Sequence, residues 1–386
     1  MKKLVIVSHT EHQITEKGEY VGWGPTINEI NHLAQHWEKV IHVACLEEAP
    51  PKGSSLAYKS KNIEFVAIPT FGGKSVLEKL GTIKKTPLIL KIVSRAIADA
   101  THVQLRVPMG IGVFLIPYFA IRAKRDYVLW IKYANNWVQK KPPLGYWLQR
   151  SMLKSNIARA KVTINGFWPN QPKHCISFEN PSLNLTDLER GKKEIDNKSY
   201  SKPFVFTFVG RLESEKGVGR ILDALKFLPS EYIAHVNFIG DSPEKNSFEK
   251  KASFLSERVS FHGFLPKEKV VDILAKSHFF LFPSTASEGF PKVIAEASCF
   301  GAIPIVSDVA SISHYIRNEE NGYLWESNGE STFISVIRNA INKNQDHLEE
   351  IAKNGLKLAR LFTLERYVVR IKREILNLTV DDQAVS

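Results

Sequence analysis

The stretch FFLFPSTASEGFPKVIAEASCFGAIPIVSD (residues 279–308) reads as strand, loop, helix and strand in succession. Phe279 to Phe282 is a short unbroken apolar run, the pattern of a strand buried on both faces. Pro283-Ser284 ends it, and Pro291 suits the first turn of a helix, where its missing N–H would be unpaired anyway. Val293, Ile294, Ala297 and Phe300 then recur at helical spacing, Gly301 is placed to end the helix, and Ile303 to Val306 begins a second apolar strand. A β-α-β unit with such strands belongs in a parallel sheet covered by helices on both faces. Two acids interrupt the apolar pattern. Glu288 lies in the loop before the helix, and Glu296 lies on the helix, off the centre of its buried face. A carboxylate in either place is expensive unless it is paired or holds a ligand. The simple alternatives are a contact with the helix dipole for Glu288 and pairing with Lys292, four residues earlier, for Glu296.

The same alternation runs through the chain. Apolar strands are expected at Leu4–Ser8, Val40–Cys45, Ile63–Ile68, His102–Val107, Tyr127–Lys132, Val162–Asn165 and Cys175–Phe178, with helical patterns such as Pro25–Trp37 and Tyr146–Ala160 between them. A polar run, LNLTDLERGKKEIDNKSYSKP (183–203), breaks the rhythm. A second series then opens at Phe204–Val209 and continues at His235–Ile239, Val259–His262, Phe279–Phe282, Ile303–Val306 and Gly322–Trp325. The chain therefore divides into a domain over 1–185, a linker over 186–203 and a domain over 204–363, with a last amphipathic helix over about 364–380 expected to pack back on the first domain. Two doubly wound parallel-sheet domains in tandem place a cleft between two sets of strand C-termini, where ligands bind in such sheets.

Composition narrows the class. The chain has 386 residues, 44% of them apolar and 24% charged, which suits a globular protein with two cores and excludes disordered and collagen-like classes. Cys45, Cys175 and Cys299 are far apart and odd in number, against a disulfide framework or a zinc site and in keeping with a reducing compartment. The opening MKKLVIVSHTEH is too short in apolar residues for a signal peptide. The run Met109–Ile121 contains Pro117 and falls short of the ~20 residues a membrane span needs. Net charge is +12, and residues 1–185 carry 25 Lys+Arg against 12 Asp+Glu, so the whole excess is in the first half. A solvated basic surface accounts for this, as does an anionic membrane face or a phosphate-bearing substrate. No zinc-finger, RNP-type or basic-helix pattern accompanies the charge, so nucleic acid is not expected. A cytoplasmic location, peripheral on the inner face of the cell membrane, is the expectation.

A second cluster of charge follows the strand Phe204–Val209, in VGRLESEKGVGRILDAL. Gly210 permits a tight turn, and Arg211 and Lys216 stand across a turn feeding a helix that begins near Lys216. Two cations beside a helix N-terminus form an anion site. Alone the pair is unspecific, since either cation can simply pair with Glu213 or Glu215.

Taken together, EGFPKVIAE with FPS before it, GAIPIVSDVASI after it and GRLESEKG upstream resembles the family 4 retaining glycosyltransferases (glycosyl transferases group 1) of the GT-B fold. The resemblance spans the second domain, including FIGDSPEK (238–245) and VSFHGFLPKEKVVDIL (259–274). It implies two Rossmann-like domains facing a central cleft. Arg211 and Lys216 would neutralise the diphosphate of a nucleotide-sugar donor, and Glu288 would hold the donor sugar and the charge developing on its ring. The backbone of Gly289, Phe290, Pro291 and Lys292 would grip the same sugar or phosphate. Glu296 would accept hydrogen bonds from the ribose, Gly210 would serve the phosphate turn, and Gly263, Phe264 and Leu265 would border the base. Gly22 and Gly24 best fit the glycines of the family's first-domain loop, here the long HTEHQITEKGEYVGWGP. Their spacing from Ser8 does not fit a dinucleotide fingerprint.

Arg106 and Lys132, each near a strand end, are candidate cleft residues, with a core-edge or surface position the alternative. Trp130, Trp137, Tyr146 and Trp147 are candidates for stacking on a sugar or lying at a lipid interface, although such residues more often pack. No Asp-x-Asp occurs, and His9, Glu11 and His12 fit a polar loop better than a metal site, so neither a metal nor a cofactor beyond the nucleotide sugar is expected. The implied activity is metal-independent, retaining transfer of a sugar from a nucleotide-sugar donor to a glycan or lipid-linked acceptor in cell-surface polysaccharide or glycolipid synthesis. The alternatives are a non-catalytic nucleotide-sugar-binding scaffold and another GT-B enzyme such as a nucleotide-sugar epimerase.

Overall fold

The structure is a computed structural model that describes residues 2–73, 76–122, 126–327, 329 and 331–379. It divides into two compact units, Met1–Phe178 with Val368–Ser386, and Glu179–Tyr367.

The first unit is built on a sheet of nine strands: β1 (Lys3–Ile14), β2 (Tyr20–Trp23), β3 (Lys39–Leu46), β4 (Ser55–Ala57), β5 (Ile63–Pro69), β6 (His102–Val107), β7 (Val128–Tyr133), β8 (Lys161–Ile164) and β9 (Cys175–Ser177). Seven of them pair in parallel in the order β5-β3-β1-β6-β7-β8-β9, a doubly wound arrangement starting from the middle of the sheet. Four helices follow the strands: α1 (Gly24–Leu33), α2 (Val76–Ala96), α3 (Gly112–Ile121) and α4 (Leu144–Lys154). One face of the sheet, with Val5, Val7, Ile41, Val43, Val103, Leu105 and Ile131, forms a core with Ile89 and Val93 of α2 and Leu115 and Phe119 of α3. The opposite face is partly polar: Ser8, His42, Gln104 and Lys132 are buried there, and α1 adds the buried Glu29.

The long loop expected over residues 9–25 is instead a hairpin followed by the start of α1. β1 continues to Ile14, still beside β3 at Glu11 and His12, and turns back antiparallel as β2, and β4 adds to the far side of β2. His12 is buried there, with its Nδ1 on the Thr10 carbonyl and its Nε2 on the Tyr58 hydroxyl. Burial pushes its pKa down to about 4, so the ring is neutral at ordinary pH.

The second unit carries six parallel strands: β10 (Phe204–Val209), β11 (Ile233–Ile239), β12 (Val259–Phe261), β13 (Phe279–Phe282), β14 (Ile303–Ser307) and β15 (Tyr323–Trp325), in the order β12-β11-β10-β13-β14-β15. Around them lie α5 (Leu185–Asp196), α6 (Val218–Leu225), α7 (Lys245–Lys251), α8 (Lys267–Lys276), α9 (Lys292–Cys299), α10 (Phe333–Ile341) and α11 (Gln345–Ala359). The Phe-rich strands stack along the sheet: Phe206 on Phe279, Phe208 on Phe282 and Phe238 on Phe261.

The polar run read as a linker over 186–203 is largely the helix α5. Asn184 caps it through the Asp187 N–H, and Asp187 caps back on the Asn184 N–H, so two otherwise unpaired donors are satisfied reciprocally. Gly191 lets the helix lie against the Cys299 carbonyl at the end of α9, which places α5 in the second unit. The last helix, α12 (Leu364–Arg370), continues into a π turn, Ile371–Ile375. Arg370 there donates to the Ser177 carbonyl at 2.7 Å and stacks over the Phe178 ring at 4.1 Å.

Candidate functional site

In the second unit β10 and β13 are neighbours, and the strand order reverses between them. The two loops leaving their carboxyl ends therefore diverge and open a crevice, the place where doubly wound sheets bind ligands. Arg211 and Lys216 leave β10, and Glu288 leaves β13. Gly210 ends β10 with its N–H on the Ile239 carbonyl at 2.9 Å, and Gly240 donates to the Gly263 carbonyl at 2.8 Å, so the ends of β10, β11 and β12 are tied edge to edge. A side chain at Gly240, whose φ is +129°, would overlap the Gly210 carbonyl.

Lys216 and Glu288 form an ion pair across the crevice. The lysine side chain is only 10% exposed and that of the glutamate 38%, so the ammonium is held in the floor and the carboxylate nearer the mouth. Burial lowers the pKa of Lys216, and the neighbouring Arg211 charge adds to the shift. Arg211 projects outward and pairs with Glu213 at 2.9 Å. The helix expected from near Lys216 begins two residues later, because Ser214–Lys216 is a 3-10 turn and Gly217 caps α6.

The two loops are fastened to each other by contacts that the sequence reading did not identify. Thr285 donates its N–H to the Glu215 carbonyl at 2.9 Å, and Arg220 of α6 reaches the Thr285 hydroxyl at 2.8 Å. Gly217 sits where this join is tightest: its φ is +92°, and a side chain would overlap the Pro283 carbonyl. Gly217→Ala is therefore expected to destabilise the second unit by about 1–3 kcal/mol, from left-handed strain and the forced separation of the loops. Urea unfolding followed by circular dichroism measures this, and a change below a few tenths would remove the contact as a constraint.

Glu296, on α9, is half-buried, and its pKa is raised chiefly by desolvation, with Lys267 and Lys292 acting in the opposite direction. Lys267 itself donates to Asp187 at 2.9 Å and to the Ser182 carbonyl at 3.2 Å. A carboxylate so placed gains on accepting hydroxyl hydrogen bonds from a ligand. The Phe290 side chain, for which the sequence reading gave no role, is buried, with its ring stacked on Phe362 at 4.6 Å and edge-on to Tyr315 at 4.9 Å. Its side chain fixes the loop, which leaves its backbone to face a ligand. Pro291 is the N-cap of α9 and has no N–H, so only Gly289, Phe290 and Lys292 supply donors in this stretch. At the end of β12 lie Gly263, with φ of +67°, Leu265, half-buried, and Phe264, exposed, where a flat base could stack.

Of the candidates in the first unit, Gly24 lies at the start of a helix, as the resemblance implies, whereas Gly22 lies in a strand. Gly22 is in strand β2 and packs against the His12 ring; a side chain there would begin 2.6 Å from His12 Nε2. Gly24 opens α1, where a side chain would begin 2.7 Å from the Ser54 carbonyl, to which its own N–H donates. Both glycines thus serve close packing of the hairpin. Arg106 and Lys132 converge on Glu29: the lysine reaches both carboxylate oxygens at 2.8 and 2.9 Å, and Arg106 reaches Oε1 at 2.9 Å while its Nε holds Gln104. They form a buried ion cluster, with Glu29 as the member that sequence reasoning missed. Its position within the apolar face of α1, beside Ile27, Ile30 and Leu33, was the available signal. Trp130 and Trp137 are core residues, whereas Trp147 is exposed.

Residues 189–358 match the family profile described as glycosyl transferases group 1. Among curated proteins, the chain is 26% identical over 213 residues to the capsular polysaccharide biosynthesis glycosyltransferase CapM of Staphylococcus aureus, covering 54% of each chain. It is 27% identical over 208 residues to a UDP-Gal:alpha-D-GlcNAc-diphosphoundecaprenol alpha-1,3-galactosyltransferase of Escherichia coli, covering 52% of this chain and 51% of that one. The matched region thus spans about half the length of these relatives. A solved structure from Anabaena in complex with UDP-glucose superposes with a TM-score of 0.64 at 16% identity, covering 98% of this chain and all of that one. The fold is GT-B, and the glycosyl transferases group 1 profile matches most of the second unit.

Proposed function

We propose that the protein is a glycosyltransferase that moves a sugar from a nucleotide-sugar donor to a glycan or lipid-linked acceptor in capsular-polysaccharide or lipopolysaccharide-type synthesis. The observation that supports this best is the Lys216–Glu288 pair at the reversal of strand order, with Arg211 beside it. A donor diphosphate entering the crevice takes over Lys216 and Arg211, and Glu288 is released toward the sugar. The two cations supply the charge that stabilises the leaving diphosphate, so the reaction is read as metal-independent. Retention of anomeric configuration follows from the family resemblance. A UDP-sugar is the first donor to try, because the Anabaena protein was solved with UDP-glucose and the Escherichia coli relative is named for UDP-Gal. Incubation with UDP-, GDP- and CDP-sugars and a lipid-linked saccharide should release one nucleoside diphosphate together with an elongated acceptor. Donor binding without release would favour a scaffold, and interconversion of the donor sugar an epimerase.

Donor binding should fall off at both ends of the pH scale earlier than with unperturbed groups. Glu296 has a raised pKa, so its carboxylate is lost as pH falls while an ordinary carboxyl would still be ionised. Lys216 has a lowered pKa, so its charge is lost as pH rises before that of an ordinary lysine. Calorimetric titration of UDP across pH measures both limbs. With Glu296→Gln the acid limb should recede to lower pH while the alkaline limb stays.

Attachment to an anionic membrane is part of the same reading. No helix among the described residues is long and apolar enough to cross a bilayer. On α4, however, Leu144, Trp147 and Leu148 make an exposed apolar stripe at helical spacing, while Gln149 and Arg150 are buried. Exposed Lys140 and Lys141 immediately precede it. Vesicles containing phosphatidylglycerol should carry the protein down at low salt and release it at high salt, and Trp147→Ala should weaken the attachment. Failure to pellet at low salt would leave a soluble acceptor as the better reading.

A further inference from the structure

The hairpin of β1 and β2, with the segment leading into β4, builds a recess of about 200 Å³ that is lined by residues of the first unit and by none of the donor-site candidates of the second. In its register His12 faces Gly22 and Trp23 faces Ser55, so Glu11, Trp23 and Ser55 lie in one row across three strands, on the same side of the sheet. These residues line the recess with Gln13 and Lys52. Trp23 is 53% exposed. Its backbone is nevertheless clamped, because Gly22 presses on the His12 ring and Gly24 on the Ser54 carbonyl. The polar side chains are equally constrained: Lys52 pairs with Glu11, Ser55 donates to Gln13 Oε1 at 3.3 Å, and Gln13 donates to Glu47 at 3.1 Å.

An indole wall beside a carboxylate, an amide, an ammonium and a hydroxyl suits a ligand with a flat C–H face and a rim of hydroxyls. Such hydroxyls both donate and accept, and the recess offers acceptors in Glu11, donors in Lys52 and both in Gln13 and Ser55. Two carboxylates, Glu11 and Glu47, stand against one lysine, which disfavours a phosphate. A recess of this volume suits one sugar ring. We propose that this recess binds a neutral pyranose ring of the acceptor saccharide, with Trp23 as its stacking surface. The word acceptor rests on the transferase reading above; the sugar site itself does not.

Saturation-transfer difference NMR on the full chain without nucleotide tests this, using the methyl glycosides of glucose, galactose and N-acetylglucosamine as probes and glycerol as control. The wild type should give saturable transfer to the ring protons of at least one glycoside and none to glycerol. Trp23→Ala should reduce it at least fivefold, and Trp23→Phe should restore part of it, with melting temperatures unchanged since the side chain is exposed. No glycoside signal above glycerol, or an undiminished signal in Trp23→Ala, would overturn the proposal. The melting shift of the same samples with UDP-glucose reports the donor site separately. A sugar signal without that shift counts against the transferase reading alone, and the shift without a sugar signal counts against the recess alone.

Discussion

Glu288→Gln should lower sugar transfer by about 10² or more while the protein stays folded. The substitution keeps the size and hydrogen-bonding reach of the side chain and removes its charge, so what is lost is stabilisation of positive charge developing on the donor sugar. The ion pair to Lys216 is lost too, but Glu288 is near the mouth of the crevice, and the effect on melting should be slight. Arg211→Ala should lower transfer to a similar extent from the other side of the scissile bond. The Arg211 side chain is two-thirds exposed and pairs only with its neighbour Glu213 among the contacts described, so its removal leaves packing intact. Initial rates with a saturating donor, set beside unfolding curves for each variant, separate chemistry from folding. Turnover near that of the wild type in both variants would remove the catalytic assignment.

Glu29→Ala should destabilise the first unit by about 3–5 kcal/mol, the cost of stranding buried charge. Glu29 is 2% exposed and is the common partner of Lys132 and Arg106. Without it two cations share a buried face also occupied by His42, whose pKa burial already holds well below the usual histidine range. Replacing Lys132 as well, as in Glu29→Gln with Lys132→Met, should recover much of the loss, because the double variant leaves fewer uncompensated charges. Urea unfolding of the single and double variants measures the difference, and additive losses would show that the cluster is not coupled.

The parallel strands were legible because each is a short apolar run bounded by turn residues; Phe204–Val209 and Phe279–Phe282 fall where the apolar runs place them. The hairpin over 9–23 was not legible. Its strands are only partly buried, and the buried polar residues His12 and Gln13 owe their places to Tyr58, Glu47 and Ser55, far away in sequence. The helix Leu185–Asp196 was mistaken for a linker because its solvent face is charged, although the capping pair Asn184 and Asp187 was there to be read. In the candidate site, residue types and local turns could be read, whereas the contact of Lys216 with Glu288 depends on β13 lying next to β10, a consequence of strand order. Phe290 shows the same limit: the sequence reading concerned its backbone alone, and the inward turn of its ring depends on packing against Phe362 and Tyr315.

The melting temperature in the presence of UDP-, GDP- and CDP-sugars, compared with that of Lys216→Ala under the same conditions, tests the central claim most directly. A donor that binds only the folded protein stabilises it by RT ln(1 + [L]/Kd), about 2.7 kcal/mol at a hundredfold excess over Kd. One nucleotide sugar should raise the melting temperature of the wild type by several degrees, and the shift should be largely lost in Lys216→Ala. No shift with any of the donors, or an equal shift in the variant, would contradict a donor site at the crevice between β10 and β13.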